Sequence, residues 1–201
     1  MLLKIRPYHP SDLPQLYRIC LQTAHHGADG SHLFSDPDLM GHFFIGPYAT
    51  LEPDLCFVLL KKARPMGYIC ATGDVPHFRR TCEQVWFPPL RQQYSMDPDN
   101  TFTAAEQELY GLIHEGIDLN EDVADYPARL HIALLPEVQR RGGGRRLMEA
   151  LLKQLQAQDV SAIHLEVSRQ NEGAIAFYEA VGFHRVADYP GACMYGQYLM
   201  H

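Results

Sequence analysis

Residues 134–147 read LLPEVQRRGGGRRL, and this run restricts the possible architectures more than any other part of the chain. It has the form of a strand, a tight glycine turn and the opening of an amphipathic helix. The helix's apolar face is carried by Leu147, Met148, Leu151, Leu152 and Leu155, at three- and four-residue spacings. A helix start presents N–H groups without intrahelical partners and partial positive charge, so it holds anions. Glycine lets such a backbone approach a ligand with no Cβ in the way. Acidic residues are favoured in a first helical turn, yet this one opens on Arg145 and Arg146, just after Arg140 and Arg141. Arginines packed this densely around a helix N-terminus point to a polyanion among them. A solvated, charged turn accounts for the glycine run alone equally well.

The 201 residues suit one domain with an insertion, long enough to bury a substantial core. A formal charge of −7 argues against a general nucleic-acid binder, whose footprint would be basic, and it permits a cationic acceptor such as an amine. The amino-terminal MLLKIRP is charged too early for a signal peptide, and no apolar run reaches the length of a membrane span. Cys20, Cys56, Cys70, Cys82 and Cys193 are odd in number and contain no CxxC pair, which fits a reduced, cytoplasmic setting better than a disulfide framework.

Periodicity places a first strand at Leu2–Arg6, then a helix capped by Ser11 or Asp12 and running to about Thr23. A polar loop follows from Ala24 to Ser35, then a helix near Pro37–Phe44. Cys56–Leu60 and Met66–Thr72, parted by a basic turn, read as a β-hairpin. The stretch 74–127 is rich in proline and aromatics and reads as an inserted, lid-like helical segment between the third and fourth strands. One helix lies around Phe78–Trp86, and a second begins at the capping box of Thr103 and Glu106. A strand at Arg129–Leu135, a helix to about Gln158, a strand through Ile163, Leu165 and Val167, a helix at Asn171–Val181 and two closing strands complete the chain. The expected class is α/β or α+β, a mixed central sheet flanked by helices in a single domain over 1–201.

The glycine turn lacks the lysine of a Walker loop, and Leu147 stands where a dinucleotide fingerprint needs glycine or alanine. The remaining form is Gln-x-x-Gly-x-Gly, Gln139 to Gly144, which resembles the coenzyme A loop of the GNAT superfamily of N-acetyltransferases. Residues 163–183, IHLEVSRQNEGAIAFYEAVGF, resemble that family's next strand and helix. Local chemistry agrees: Asn171 is a good N-cap, Ala174, Phe177, Tyr178 and Val181 form an inward stripe, and Gly182 can close the helix left-handed. The segments IRPYHPSDLPQLYRICLQT, PDLMGHFFIGPYATLEPDLCFVL and PHFRRTCEQVWFPPLRQQY carry a narrower resemblance, to the acetyltransferase-like domain of eukaryotic O-GlcNAcase and its stand-alone bacterial relatives. No hydrolase sequence precedes these segments, so sugar cleavage is not expected.

The resemblance implies acetyl-CoA as cofactor and an amine acceptor, either a small molecule or a peptide or protein lysine, with monomer and homodimer both open. It implies diphosphate on the backbone of Arg141, Gly142, Gly143, Gly144 and Arg145, with Gln139 bracing the loop and arginine side chains, Arg140 among them, adding charge. Pantetheine would pair with backbone at Leu134 and Leu135, where an N–H would polarise the thioester oxygen, and Asn171 would touch it. Tyr178 matches the family's general acid; a buried tyrosine hydrogen-bonded to backbone is the plainer account. The glutamate that serves histone-type members as general base falls on Ala128. His131 lies on the opposite face of that strand, and a water chain, His25, His26 or Asp29 remain substitutes. A non-catalytic acetyl-CoA binder therefore stays open, as does a nucleotide- or nucleic-acid-binding role for the arginines. The cluster His25, His26, Asp29, His32 does not have metal-site spacing and reads as a polar loop, so no metal is expected. Trp86, Phe87 and Tyr94 either line an acceptor pocket or pack the insertion.

Overall fold

The computed structural model describes residues 3–96 and 102–199, so the Leu2 start of the first strand and positions 97–101 of the insertion lie outside the described residues. In chain order, β1 (Leu3–Pro7) is followed by α1 (Leu13–Leu21), α2 (Leu39–Phe44) and α3 (Gly46–Leu51), then β2 (Cys56–Lys61) and β3 (Arg64–Thr72). The inserted stretch carries α4 (Val75–Thr81), a π-helical turn (Cys82–Trp86), α5 (Phe87–Gln93) and α6 (Ala104–Glu115). After it come β4 (Ala128–Leu134), α7 (Gly143–Gln156), β5 (Ala162–Ser168), α8 (Glu172–Ala180), β6 (His184–Asp188) and β7 (Ala192–Tyr198).

The seven strands form one mixed sheet in the order β1-β2-β3-β4-β5-β7-β6. Each neighbouring pair is antiparallel except β4 with β5, which run parallel. Helix α7 buries Leu147, Met148, Leu151 and Leu155 against one face, over β1, β2 and β3. Helices α1 to α3 cover the other face, where the Cys70 thiol donates to the Phe44 carbonyl at 3.6 Å. All five cysteines are buried and unpaired. No helix among the described residues is long and apolar enough to cross a membrane.

Several boundaries differ from the sequence expectation for local reasons. The first turn is capped by His9, whose Nδ1 accepts the Ser11 N–H, while Asp12 bonds the His9 N–H at 2.9 Å and pairs with Arg6 at 2.7 Å. Helix α1 stops at Leu21 because Ala24 and Gly30 N–H groups turn back onto the Leu21 carbonyl. The helix placed at Phe78–Trp86 extends from Val75 to Gln93, interrupted by the π turn. That turn directs the Trp86 Nε1–H to the His42 carbonyl at 2.8 Å, beside Gly46, where a Cβ would fall 2.5 Å from the indole.

The capping box of α6 forms as expected, and its glutamate has a second use. Glu106 accepts the Thr103 N–H at 2.8 Å and both the N–H and hydroxyl of Ser35 at 2.6 Å, while only 4% exposed. One carboxylate thus joins the insertion to the loop before α2. Hydrogen bonds to Ser35 and Thr103 hold its pKa down to about 2. A depressed folded pKa contributes stability above the ordinary carboxylate value of about 4.3, and that contribution disappears as pH falls toward the folded value. Glu106→Ala should therefore cost about 1–3 kcal/mol at pH 7. In urea unfolding followed from pH 7 to pH 2, the gap between wild type and variant should shrink through the acid end.

Candidate functional site

Parallel pairing between β4 and β5 is confined to Ala128 with Ile163 and Arg129 with His164. Beyond that point β4 stays with β3 as far as Leu134 opposite Gly67, and β5 stays with β7 as far as Ser168 opposite Ala192. The two strands therefore diverge into a V. The Leu135 N–H donates to Met66 O at 2.9 Å, so antiparallel alternation turns the N–H and carbonyl of Leu134 toward the opening. The Leu134 carbonyl accepts Gln139 Nε2 at 2.8 Å, leaving the N–H as the donor on the open edge. Leu135 is an anchor rather than a free edge, because its carbonyl also takes the Val138 N–H at 3.0 Å.

At the mouth of the V, Gly142 (φ +76°) leads into α7 in the left-handed conformation, and Arg140 (φ +55°) shares that region. The Arg146 N–H reaches Gly142 O at 3.3 Å, and the N–H groups of Gly142, Gly143, Gly144 and Arg145 have no acceptor among the described residues. The arginines divide into two pairs. Arg145 donates to the Ala180 carbonyl and Arg146 to the Leu3 carbonyl, both at 2.9 Å, whereas Arg140 and Arg141 are exposed and unpartnered among the described residues. Gly143 is buried against Leu59, and Gly144 faces the Phe177 ring, which a Cβ would approach to 3.2 Å.

Helix α8 starts at Asn171, whose Oδ1 accepts the Ala174 N–H at 3.1 Å, and ends at Gly182 with φ +98°. Its Tyr178 is 7% exposed, with its ring among Phe177, Phe183 and Tyr195. The hydroxyl has no hydrogen-bond partner among the described residues, and it is not one of the polar atoms sealed from solvent. Burial alone raises its pKa, so the phenol stays protonated well past neutrality. A tight turn at His25–Ala28, with His26 and Gly27 both left-handed, closes the entrance. Gly27 O accepts Gln139 Nε2 at 3.3 Å, and a Cβ on Gly27 would stand 3.8 Å from Asn171 Nδ2.

On the sheet face under α1 to α3, Arg129 and His164 lie opposite each other, and two positions on stand His131 of β4 and Glu166 of β5. His131 packs on Phe44, and its Nε2 is buried without a partner. Burial first, and Arg129 second, lower its pKa to about 4. Ala128 is fully buried and carries no acid-base group. Glu166 is exposed at the rim of the V, and sequence reasoning missed it. Its signal was the alternation of Ile163, Leu165 and Val167, which assigns the intervening Glu166 to the other face.

The remaining candidates lie in the entrance loop and the insertion. The His25 ring lies 5.1 Å from that of His26, tilted, and 5.7 Å from that of His32, edge-on, while Asp29 accepts the Ser31 N–H. Among the described residues, no three His, Cys, Asp or Glu side chains are grouped to hold a metal. Trp86, Phe87 and Tyr94 pack the insertion, Tyr94 donating to Asp36 at 2.7 Å.

Comparison with known proteins places this geometry. The model of the acetyltransferase (GNAT) family matches residues 21–183. The protein O-GlcNAcase of Rattus norvegicus is 29% identical over 189 residues, which are 93% of this chain and 20% of that protein. The chain thus spans about a fifth of that relative's length. The ribosomal protein bS18-alanine N-acetyltransferase of Salmonella typhimurium is 42% identical over 65 residues, 32% of this chain and 44% of that enzyme. Among solved structures, the crystal structure of SsHAT superposes with a TM-score of 0.92 at 36% identity, covering both chains completely.

The glycine loop makes its own prediction. A Cβ on Gly142 meets nothing within 4 Å, so Gly142→Ala should cost only the left-handed penalty of about 1–2 kcal/mol. Gly142→Asn should lose less in thermal unfolding, because asparagine tolerates that region.

Proposed function

Because this chain belongs to the GNAT family of acetyltransferases, we propose that it is an acetyl-CoA-dependent enzyme transferring acetyl to an amine. The observation carrying the proposal is the open V between β4 and β5, together with the N–H groups of Gly142 to Arg145 and the Tyr178 hydroxyl, all without partners among the described residues. The N–H groups of Gly142 to Arg145, with the free side chains of Arg140 and Arg141, suit a diphosphate. The Leu134 edge suits a pantetheine arm laid in as an extra strand, with Asn171 beside it. Acetyl-CoA would supply an acyl carbon already activated as a thioester.

Three residues then share the chemistry. The Leu134 N–H is placed to donate to the oxygen on which charge develops. Tyr178, kept protonated by burial, donates to the departing thiolate, whose ordinary pKa is about 8.5. Glu166 lies on the other face of β5 and receives the proton that the amine nitrogen loses as it bonds to carbon. This carboxylate answers the deficit at Ala128 and favours turnover over a binding-only role. The buried free thiols support a reducing, cytoplasmic setting as part of the proposal.

Calorimetry with acetyl-CoA, followed by thioester consumption across a panel of amines, tests the proposal; absence of binding would sink it, and binding without turnover on any amine would leave the binding module. Tyr178→Phe should lower kcat about 100-fold while leaving acetyl-CoA affinity nearly unchanged. Glu166→Gln should reduce kcat/KM by a similar, roughly 100-fold factor. Because burial raises Tyr178, the wild-type rate should show no decline from this phenol's ionisation below about pH 10.

A further inference from the structure

Arg129 is half-buried on the sheet face shared with His131 and Glu166, yet it has no ion pair or hydrogen bond among the described residues. The residues directly opposite it bond elsewhere, and Glu166, on the same face, stands two positions further along β5. Thr72, opposite it on β3, bonds Glu52 Oε1 at 3.3 Å, and His164, opposite it on β5, bonds the Tyr126 carbonyl at 2.8 Å. Tyr48 of α3 is buried beside it, and burial raises that phenol, so it stays neutral. His131 contributes an Nε2 that is buried and unmatched. Burial holds both histidines to a pKa of about 4, so the positive charge on this floor at neutral pH is the guanidinium's.

A partly buried cation held in no ion pair or hydrogen bond is costly, and unsatisfied buried polar atoms are rare, so the two together describe half of a binding site. The planar guanidinium fork matches carboxylate or phosphate oxygens, and His131 Nε2–H, in the tautomer protonated there, can add a third donor. Strand rise sets the level of Arg129 and His164 about 7 Å from that of His131 and Glu166, within the span of a small molecule. Both levels face the side of the V opposite α7 and α8. The chain's overall negative charge makes this local cation the more informative feature.

We propose that Arg129, assisted by His131, determines acceptor specificity by binding an oxyanion on the amine substrate, so that the preferred acceptor carries a carboxylate or phosphate as well as its amine. This rests on the acetyl-transfer reading above. Arg129 holds the anionic end, and the amine end reaches toward Glu166 and the acyl carbon. The reaction itself is unchanged: a C–N bond forms, the C–S bond breaks, and Arg129 moves no proton.

The test uses matched acceptors with acetyl-CoA: 4-aminobutyrate against butylamine for a carboxylate, and 2-aminoethyl phosphate against ethanolamine for a phosphate. One anionic member should exceed its neutral partner roughly 10- to 100-fold in kcat/KM, as a charge-assisted contact allows, and the pair that responds identifies the anion. Arg129→Ala should abolish that ratio while leaving acetyl-CoA affinity unchanged; Arg129→Lys should retain part of it. Calorimetric titration of the two anionic compounds into wild type and Arg129→Ala, with CoA bound, reads the site without turnover. Equal use of anionic and neutral amines, or anion binding that survives Arg129→Ala, overturns the inference while the transferase reading stands. Failure of acetyl-CoA to bind removes both.

Discussion

The short parallel contact between β4 and β5 governs the rest of this molecule. A sheet normally satisfies its backbone by pairing along the full length of each strand. Here pairing between the central strands stops after Arg129 and His164, and each strand then follows its other neighbour. The open edges create a slot through the sheet's middle, with α7 and α8 on one side and the α1 to α3 layer on the other. Donors that elsewhere would be spent on a ladder are kept for something else. Helix α7 begins at the mouth of that slot, so its N–H groups, unpaired among the described residues, and the strand edge face one opening.

The arginines around the glycine turn divide into two pairs. Arg145 and Arg146 tie α7 to the end of α8 and to β1, fixing the axis of the helix. Arg140 and Arg141 stay exposed above its start. Positioning of the helix and exposed positive charge are thus carried by different members of one cluster, a separation that composition could not express. The glycines divide similarly: Gly142 serves the turn's conformation, Gly143 the close approach of α7 to Leu59, and Gly144 the seat of Phe177.

Much of this was legible in the chain because the signals are local. The capping box of Thr103 and Glu106, the Asn171 cap, the Gly182 termination and the helical stripe of α7 each need only a few neighbours. What escaped depends on contacts distant in sequence. The π turn at Cys82–Trp86 follows from where the indole must reach His42; α3, by contrast, does carry a local signal in Gly46-Pro47, which ends α2 after Ile45 and opens the new helix. The left-handed turn at His26 and Gly27 carries a histidine where asparagine would have announced it. Glu166 was overlooked because attention to the buried alternation of β5 passes over the residues that alternation exposes.

The clamp formed by Glu106 alters how the inserted stretch should be regarded. It grips Ser35, Trp86 holds the His42 carbonyl, and Tyr94 holds Asp36, so three separate parts of the insertion fasten onto the segment leading into and through α2. That segment in turn carries Phe44, the cover over His131. Trimming 74–127 to a short connector would leave the roof of the slot without its outer fastenings. The insertion and the segment around α2 are therefore mechanically coupled, and a change of length in one removes hydrogen-bond partners from the other.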